Sequence, residues 1–159
     1  MTQNSFAPVN GIIKDIQPMY DGCCKYEIIL QTDDDEEVHF IIGFETYVIN
    51  EVKLMLEMDV TAFYDTTFPS TQDYPPVYEA LIIGQRSPDE RMMTNHFDNK
   101  LVAIDQSIKI NIGPNTDIVG TNGQPFTCGI TNRLLIVYYS STTQGTLPQT
   151  TPRKIIVPC

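Results

Sequence analysis

A twelve-residue pattern of this chain recurs once, 70 residues further on. Glu37–Val48, EVHFIIGFETYV, aligns without a gap on Ser107–Ile118, SIKINIGPNTDI, at an offset of 70. Val38, Phe40 and Ile42 fall on Ile108, Ile110 and Ile112, with Gly43 on Gly113 and Thr46 on Thr116. Alternating apolar residues that run into Gly-x-x-Thr predict a half-buried strand ending in a tight turn, twice over. A second pair of segments extends the pattern. Phe63–Gly84, FYDTTFPSTQDYPPVYEALIIG, returns as Tyr138–Pro158, YYSSTTQGTLPQTTPRKIIVP. Both run from an aromatic pair through a polar loop and a Pro-containing corner into a β-branched strand. The offset grows to 75 at Phe63/Tyr138 and falls to 73 at Ile82/Ile155, so length changes are confined to loops, as in a duplicated fold.

The repeat divides the 159 residues into two β-rich units, 1–84 and 91–159, joined by the Pro-containing connector Gln85–Glu90. Units this small have marginal cores alone, which leads us to expect that they pack on each other. In the first, residues 1–9 read as a frayed polar tail. Strands are expected at Gly11–Ile16, Cys24–Thr32, Glu37–Ile42, Val60–Asp65 and Val77–Ile83, with Pro18 and Asp21-Gly22 marking a turn. Asn50–Asp59 places Val52, Met55 and Leu56 at helical spacing behind a possible Asn50 N-cap, and predicts one or two helical turns. The second unit is expected to carry strands at Arg91–Phe97, Leu101–Ile104, Ser107–Ile112, Leu134–Tyr139 and Arg153–Val157, with a vestigial helix within Gly120–Asn132. Pro152, Lys154 and Pro158 read as protection of an exposed edge. Three strands, a short helix and two strands is the order of a five-stranded Greek-key barrel of the OB type, so the fold class is mainly β, with two tandem OB-like barrels. A small SH3-like barrel is the competing architecture.

Charge is unevenly spread. The net value is −10; residues 1–84 hold 15 Asp/Glu against three Lys/Arg (−12), and residues 85–159 hold five against seven (+2). An acidic surface repels phosphate backbones, which disfavours single-stranded nucleic-acid binding even where the fold permits it. The opening MTQNSFAPVN has neither the basic nor the apolar region of a secretory signal, and the longest apolar run, Leu134–Tyr139, is far too short to span a membrane. Cys23, Cys24, Cys128 and Cys159 show no C-x-x-C spacing and read as reduced thiols. Together these features point to a cytoplasmic protein.

The stretch FYDTTFPSTQDYPPVYEALII resembles the motif of uncharacterised small β-barrel proteins of Gram-positive anaerobes, in which an aromatic-Asp pair, a Pro loop and a Tyr-Pro-Pro-x-Tyr corner close each barrel. NRLLIVYY and LPQTTPRKIIV are similar to their C-terminal repeat. The resemblance implies a tandem-barrel fold and carries no activity with it.

No catalytic constellation stands out. The run Asp33–Glu37 lacks the spacing by which a calcium loop wraps its ion, and reads as a solvated hairpin tip. His39 shares the outward face of its strand with Glu37 and Ile41 and aligns with Lys109, and His96 lies in a polar stretch. No G-x-S-x-G, H-E-x-x-H, Walker or G-x-G-x-x-G pattern occurs. Neither an enzyme, a metal site nor a cofactor is expected. The candidate binding residues are aromatic: Tyr64, Phe68, Tyr74 and Tyr78 surround one Pro-rich loop beside Asp65 and Asp73, with an echo at Tyr139 and Leu147. Exposed Tyr beside carboxylates suits a cationic peptide or a stacked sugar ring, whereas buried Tyr would simply plug a barrel end. The expected role is a binding or interaction module, for a protein partner or self-association first and for carbohydrate second.

Overall fold

In the first unit, alternation of apolar and polar residues sets the strand faces. The computed structural model describes residues 6–19, 24–67 and 74–158, which fall into two compact units, Met1–Arg86 and Ser87–Cys159. The first unit holds β1 (Phe6–Pro18), β2 (Tyr26–Thr32), β3 (Glu37–Ile42), β4 (Tyr47–Val48), β5 (Asp59–Asp65), β6 (Val77–Glu79) and β7 (Ile82–Gln85). They form one mixed sheet in the order β4-β7-β5-β1-β2-β3-β6. Long β1 pairs antiparallel with β5 through Phe6–Ile12 and with β2 through Gly11–Pro18, and its register shifts between Ile13 and Asp15. A bulge of this kind bends a strand so that it can serve two neighbours. Ile28 and Leu30, Val38, Phe40 and Ile42, Val60 and Ala62, and Ile83 supply the buried core. Each large apolar side chain buried there contributes about 1.5–3 kcal/mol.

The second unit holds β8 (Arg91–Phe97), β9 (Lys109–Ile110), β10 (Asp117–Gly120), β11 (Arg133–Tyr139), β12 (Gln149–Thr150) and β13 (Lys154–Val157). A four-stranded sheet, β10-β13-β11-β8, is accompanied by the two-stranded β12-β9. Phe97, Ile108, Ile110, Leu135, Val137 and Ile155 lead its core. Both units are mainly β with parallel and antiparallel pairings, and no α-helix occurs among the described residues.

The two units repeat one turn atom for atom. The Gly43 amide donates to Thr46 Oγ1 (3.1 Å), and that hydroxyl donates to the Ala80 carbonyl (2.8 Å). Likewise the Gly113 amide donates to Thr116 Oγ1 (3.1 Å), which donates to the Pro152 carbonyl (2.7 Å). Parallel pairs flank the turn on both sides, β3 with β6 and β4 with β7 in one unit, β9 with β12 and β10 with β13 in the other. Val48 faces Ile83 as Ile118 faces Ile155, so the final strands correspond at an offset of 72, not the 73 that matching Ile82 to Ile155 gives.

Several expectations need correction. Phe6–Val9 belong to β1: Phe6 to Val9 pair with Asp65 to Ala62, and Val9 packs on the core. Pro18 is the last residue of that strand, not part of the turn; Asp21-Gly22 and Cys23 lie outside the described residues. The helix in Asn50–Asp59 is absent. Asn50, Glu51 and Glu57 take positive φ (59°, 52° and 70°), leaving a single 3-10 turn at Ile49–Glu51, and Met55 and Leu56 are exposed. Leu54 and Met58 pack inward instead. The strand Val77–Ile83 breaks at Ala80-Leu81, where the chain changes neighbours from β3 to β4 and β5. In the second unit Leu101–Ile104 makes only isolated bridges, because Leu101 is left-handed (φ 62°), and Ser107–Ile112 shrinks to two residues. The vestigial helix within Gly120–Asn132 is absent: Gly120 ends β10, and residues 121–132 form a loop turned at Gly123 (φ 79°). Lys154 guards no edge. It lies on β13, between β10 and β11, and is buried, with Asp117 3.9 Å from its Nζ.

Candidate functional site

The Pro corner divides into an inside and an outside. Tyr64, near the end of β5, and Tyr78, in the middle of β6, alternate inward and stack with centroids 3.9 Å apart and planes at 16°. Phe40 of β3 packs against both, at 6.4 Å and 5.7 Å. Burial, reinforced by Tyr78, raises the Tyr64 phenol above its usual value. Rings that face each other and the core have no free face for a sugar. Tyr74 is 74% exposed and precedes the prolines, through a cis peptide bond to Pro75. Asp65 turns back on its own loop, where its Oδ1 accepts from the Thr67 amide (2.8 Å) and hydroxyl (2.6 Å). Phe68 and Asp73 lie outside the described residues. Tyr139 belongs to the second unit, half-buried on its core, and Leu147 is half-buried in the same unit. Of the candidate residues, the fold therefore joins Tyr64 to Tyr78 and leaves Tyr74 on the surface.

A different surface emerges once the register is known. On β2, β3 and β6 the side chains that alternate away from the core form three rows. Glu27, Ile41 and Glu79 make one, Ile29, His39 and Val77 the next, and Gln31 with Glu37 the last. Three half-buried aliphatic side chains thus sit among three carboxylates. His39 is outward-facing, as its alternation predicts, yet its side chain is only 15% exposed. Its Nδ1 contacts the Glu27 carboxylate and its Nε2 lies 2.8 Å from Glu37 Oε2. Burial alone would lower the imidazole's pKa, but the bonds to Glu37 and Glu27 outweigh it and raise the pKa above 6.5. Sequence reasoning found the alternation but missed this surface, because Glu27 reaches His39 only through the cross-strand register.

Hollows lie at both ends of the face. One of about 340 Å³ lies along the acidic tip, where Lys14, Ile29, Gln31 and Asp35–Glu37 line it. The other, about 90 Å³, lies at the Gly43 turn between Lys25, Ile41, Glu45 and Glu79, beside Phe44, which is 85% exposed. The acidic tip itself is dispersed: Asp33 pairs with Arg86, Asp35 with Gln31 and Glu37 with His39. Among the described residues, no three His, Cys, Asp or Glu side chains converge as a metal site would need, and no helix is long and apolar enough to cross a membrane. The chain matches no protein-family model, no curated protein and no solved structure.

Proposed function

We propose that the chain is a non-enzymatic interaction module that binds polypeptide through the outer face of β2, β3 and β6. The observation that carries this reading is the interleaving of Ile29, Ile41 and Val77 with Glu27, Glu37 and Glu79 on one strand-built surface. Aliphatic contact area edged by carboxylates complements an extended segment that alternates apolar and cationic residues, and it repels phosphate. The reading includes two OB-like barrels derived from an internal repeat. In the first unit β1 serves both β2 and β5, β3 runs parallel to β6, and β6 leads within two residues into β7 beside β5, a connectivity that supports this reading. Folds of this type bind oligonucleotides and oligosaccharides on the face of their second and third strands, an analogy for the place of the site only; the charge pattern favours polypeptide there. A cytoplasmic setting accompanies the proposal, supported by the free thiols of Cys24 and Cys128.

The test is a fluorescence-anisotropy titration with a labelled peptide of alternating Lys and Ile, against a control peptide of alternating Glu and Ile. Binding of the first alone, weakened by salt and lost in Glu27→Gln/Glu37→Gln/Glu79→Gln, is the expected result. Equal binding of both peptides, or binding untouched by the triple variant, would remove the face from consideration.

A further inference from the structure

The matched frames of the two units allow their outer faces to be compared position by position. Val102 pairs with Lys109 as Ile29 pairs with His39, and Lys109 with Gln149 as His39 with Val77. Lys109 therefore stands where the first unit has His39. Lys100 precedes Val102 by two residues, as Glu27 precedes Ile29, but left-handed Leu101 lies between, and Lys100 sits in the turn where its amide donates to Asp98 Oδ1. Glu37 and Glu79 become Ser107 and Thr151, at the offsets of 70 and 72 that the pairing fixes. The rim is inverted too. Lys25 lines the Gly43 hollow, and the corresponding Asp98 lies close enough to Lys100 and Lys109 for both to help hold its carboxyl below the usual range, behind the larger effect of the Val102 and Lys100 amides. One frame thus presents three carboxylates and a rim lysine in the first unit, and Lys109 on the face with Lys100 and Asp98 at the rim in the second.

We infer that the partner of the first unit's face is the second unit's face of another copy of this chain, giving head-to-tail self-association. This rests on the reading of the outer face as an interaction surface and adds the identity of its occupant. Opposite charges on equivalent frames bring the faces together and like charges keep each from pairing with itself, which makes the contact heterologous. Such a contact propagates into chains unless the rotation closes a ring. Three strands about 4.8 Å apart with outward positions about 6.8 Å apart span roughly 200 Å², well below the ~800 Å² per partner of a stable complex. The association is accordingly weak, concentration-dependent and salt-sensitive.

Sedimentation velocity of the full chain over a concentration series, at low and at physiological salt, tests this. The weight-average sedimentation coefficient of the unaltered chain should rise with concentration at low salt and fall back when salt is added. Glu27→Gln/Glu37→Gln/Glu79→Gln and Lys100→Gln/Lys109→Gln, each confirmed as folded by circular dichroism, should each stay monomeric alone. Their equimolar mixture should form one-to-one pairs and nothing larger, because only one compatible pair of faces remains. If the triple variant fails to fold, the single exposed Glu79→Lys replaces it with the same expectation. A concentration-independent coefficient, or association unaffected by loss of the two lysines, would overturn the inference; a mixture that stays monomeric would overturn its head-to-tail geometry. A chain that binds the Lys/Ile peptide yet never self-associates would refute this inference and leave the interaction-module reading standing, whereas failure of both would refute both.

Discussion

The two units carry the same turn and the same parallel ladders, yet they finish the corner beside them with different chemistry. In the first unit Tyr78 stacks on Tyr64 over Phe40. At the position of Tyr78 the second unit has Thr150, which is buried and donates its hydroxyl to the Ser141 carbonyl at 2.7 Å. Tyr139 and Ile110 keep the places of Tyr64 and Phe40. An eleven-residue corner from Thr66 to Pro76 thus accompanies a ring stack, and the shorter loop of the second unit accompanies a hydroxyl that reaches back to the loop itself. The frame is indifferent to which device ends it. The Gly-x-x-Thr turn, present in both, is the part that does not vary.

The largest expected effect separates the inside of the corner from its outside. Tyr78→Ala removes one of two stacked rings and should cost roughly 3 kcal/mol in urea denaturation, at the low end for a large aromatic. Tyr74→Ala, on an exposed ring, should stay within about 0.5 kcal/mol. Equal losses would mean that the corner is one packed cluster with no separate inside and outside.

Next come the turns. Thr46→Val and Thr116→Val each strip two hydrogen bonds from a part-buried site and should each cost about 2 kcal/mol, since a glycine amide and a carbonyl are left without their partner. Hydrogen exchange at the Gly43 and Gly113 amides should rise in the altered unit only. A loss confined to one unit would break the equivalence.

A smaller difference is expected at the glycines themselves. A Cβ on Gly113 would meet Thr151 Cγ2 at 2.6 Å, whereas one on Gly43 would only touch the Lys25 stem at 3.4 Å. Gly113→Ala should destabilise by about 1 kcal/mol through overpacking, and Gly43→Ala should be close to neutral. Reversed outcomes in thermal melts would show that local space is not what holds these glycines in place.

The smallest effect concerns pH and belongs to the first unit. Because Glu37 and Glu27 raise the folded-state pKa of His39 above 6.5, its stabilisation is complete below that value and is lost as pH rises through the folded pKa. Melting temperature should therefore decline modestly as pH rises from 6.5 through the folded-state pKa, and His39→Gln should flatten that decline. The second unit has Lys109 at this position. An unchanged profile in the variant would assign the dependence to another group.

Much of the frame was legible because its rules are local. Val38, Phe40 and Ile42 alternate, and Gly43-x-x-Thr46 announces its turn in four letters. The misread elements share a cause, which is that backbone conformation overrode side-chain spacing. Val52, Met55 and Leu56 stand at helical intervals, but left-handed Asn50, Glu51 and Glu57 forbid the helix. Phe6–Val9 looked like a tail because strand identity there comes from pairing with β5, far along the chain. The candidate site divides the same way. Tyr74 and Tyr78 could be sorted by the prolines between them, while the stack of Tyr64 on Tyr78 and the bond of Glu27 to His39 depend on registers that no linear reading contains.

The break at Ala80-Leu81 has a consequence for the order of events during synthesis. Residues 77–85 are the last of their unit to be made, yet they supply partners to strands made much earlier: Ala80 donates to the Ile41 carbonyl, Leu81 to that of Phe63, and the Leu81 carbonyl accepts from Tyr47. A nascent chain that has emerged only as far as Thr67 can zip β5, β1, β2 and β3 into an antiparallel meander, but its outermost strands, β3 and β5, have nothing beside them. Such unpaired margins invite neighbours on adjacent ribosomes. The nine residues from Val77 to Gln85 act as a late clasp, closing both margins only once they have emerged.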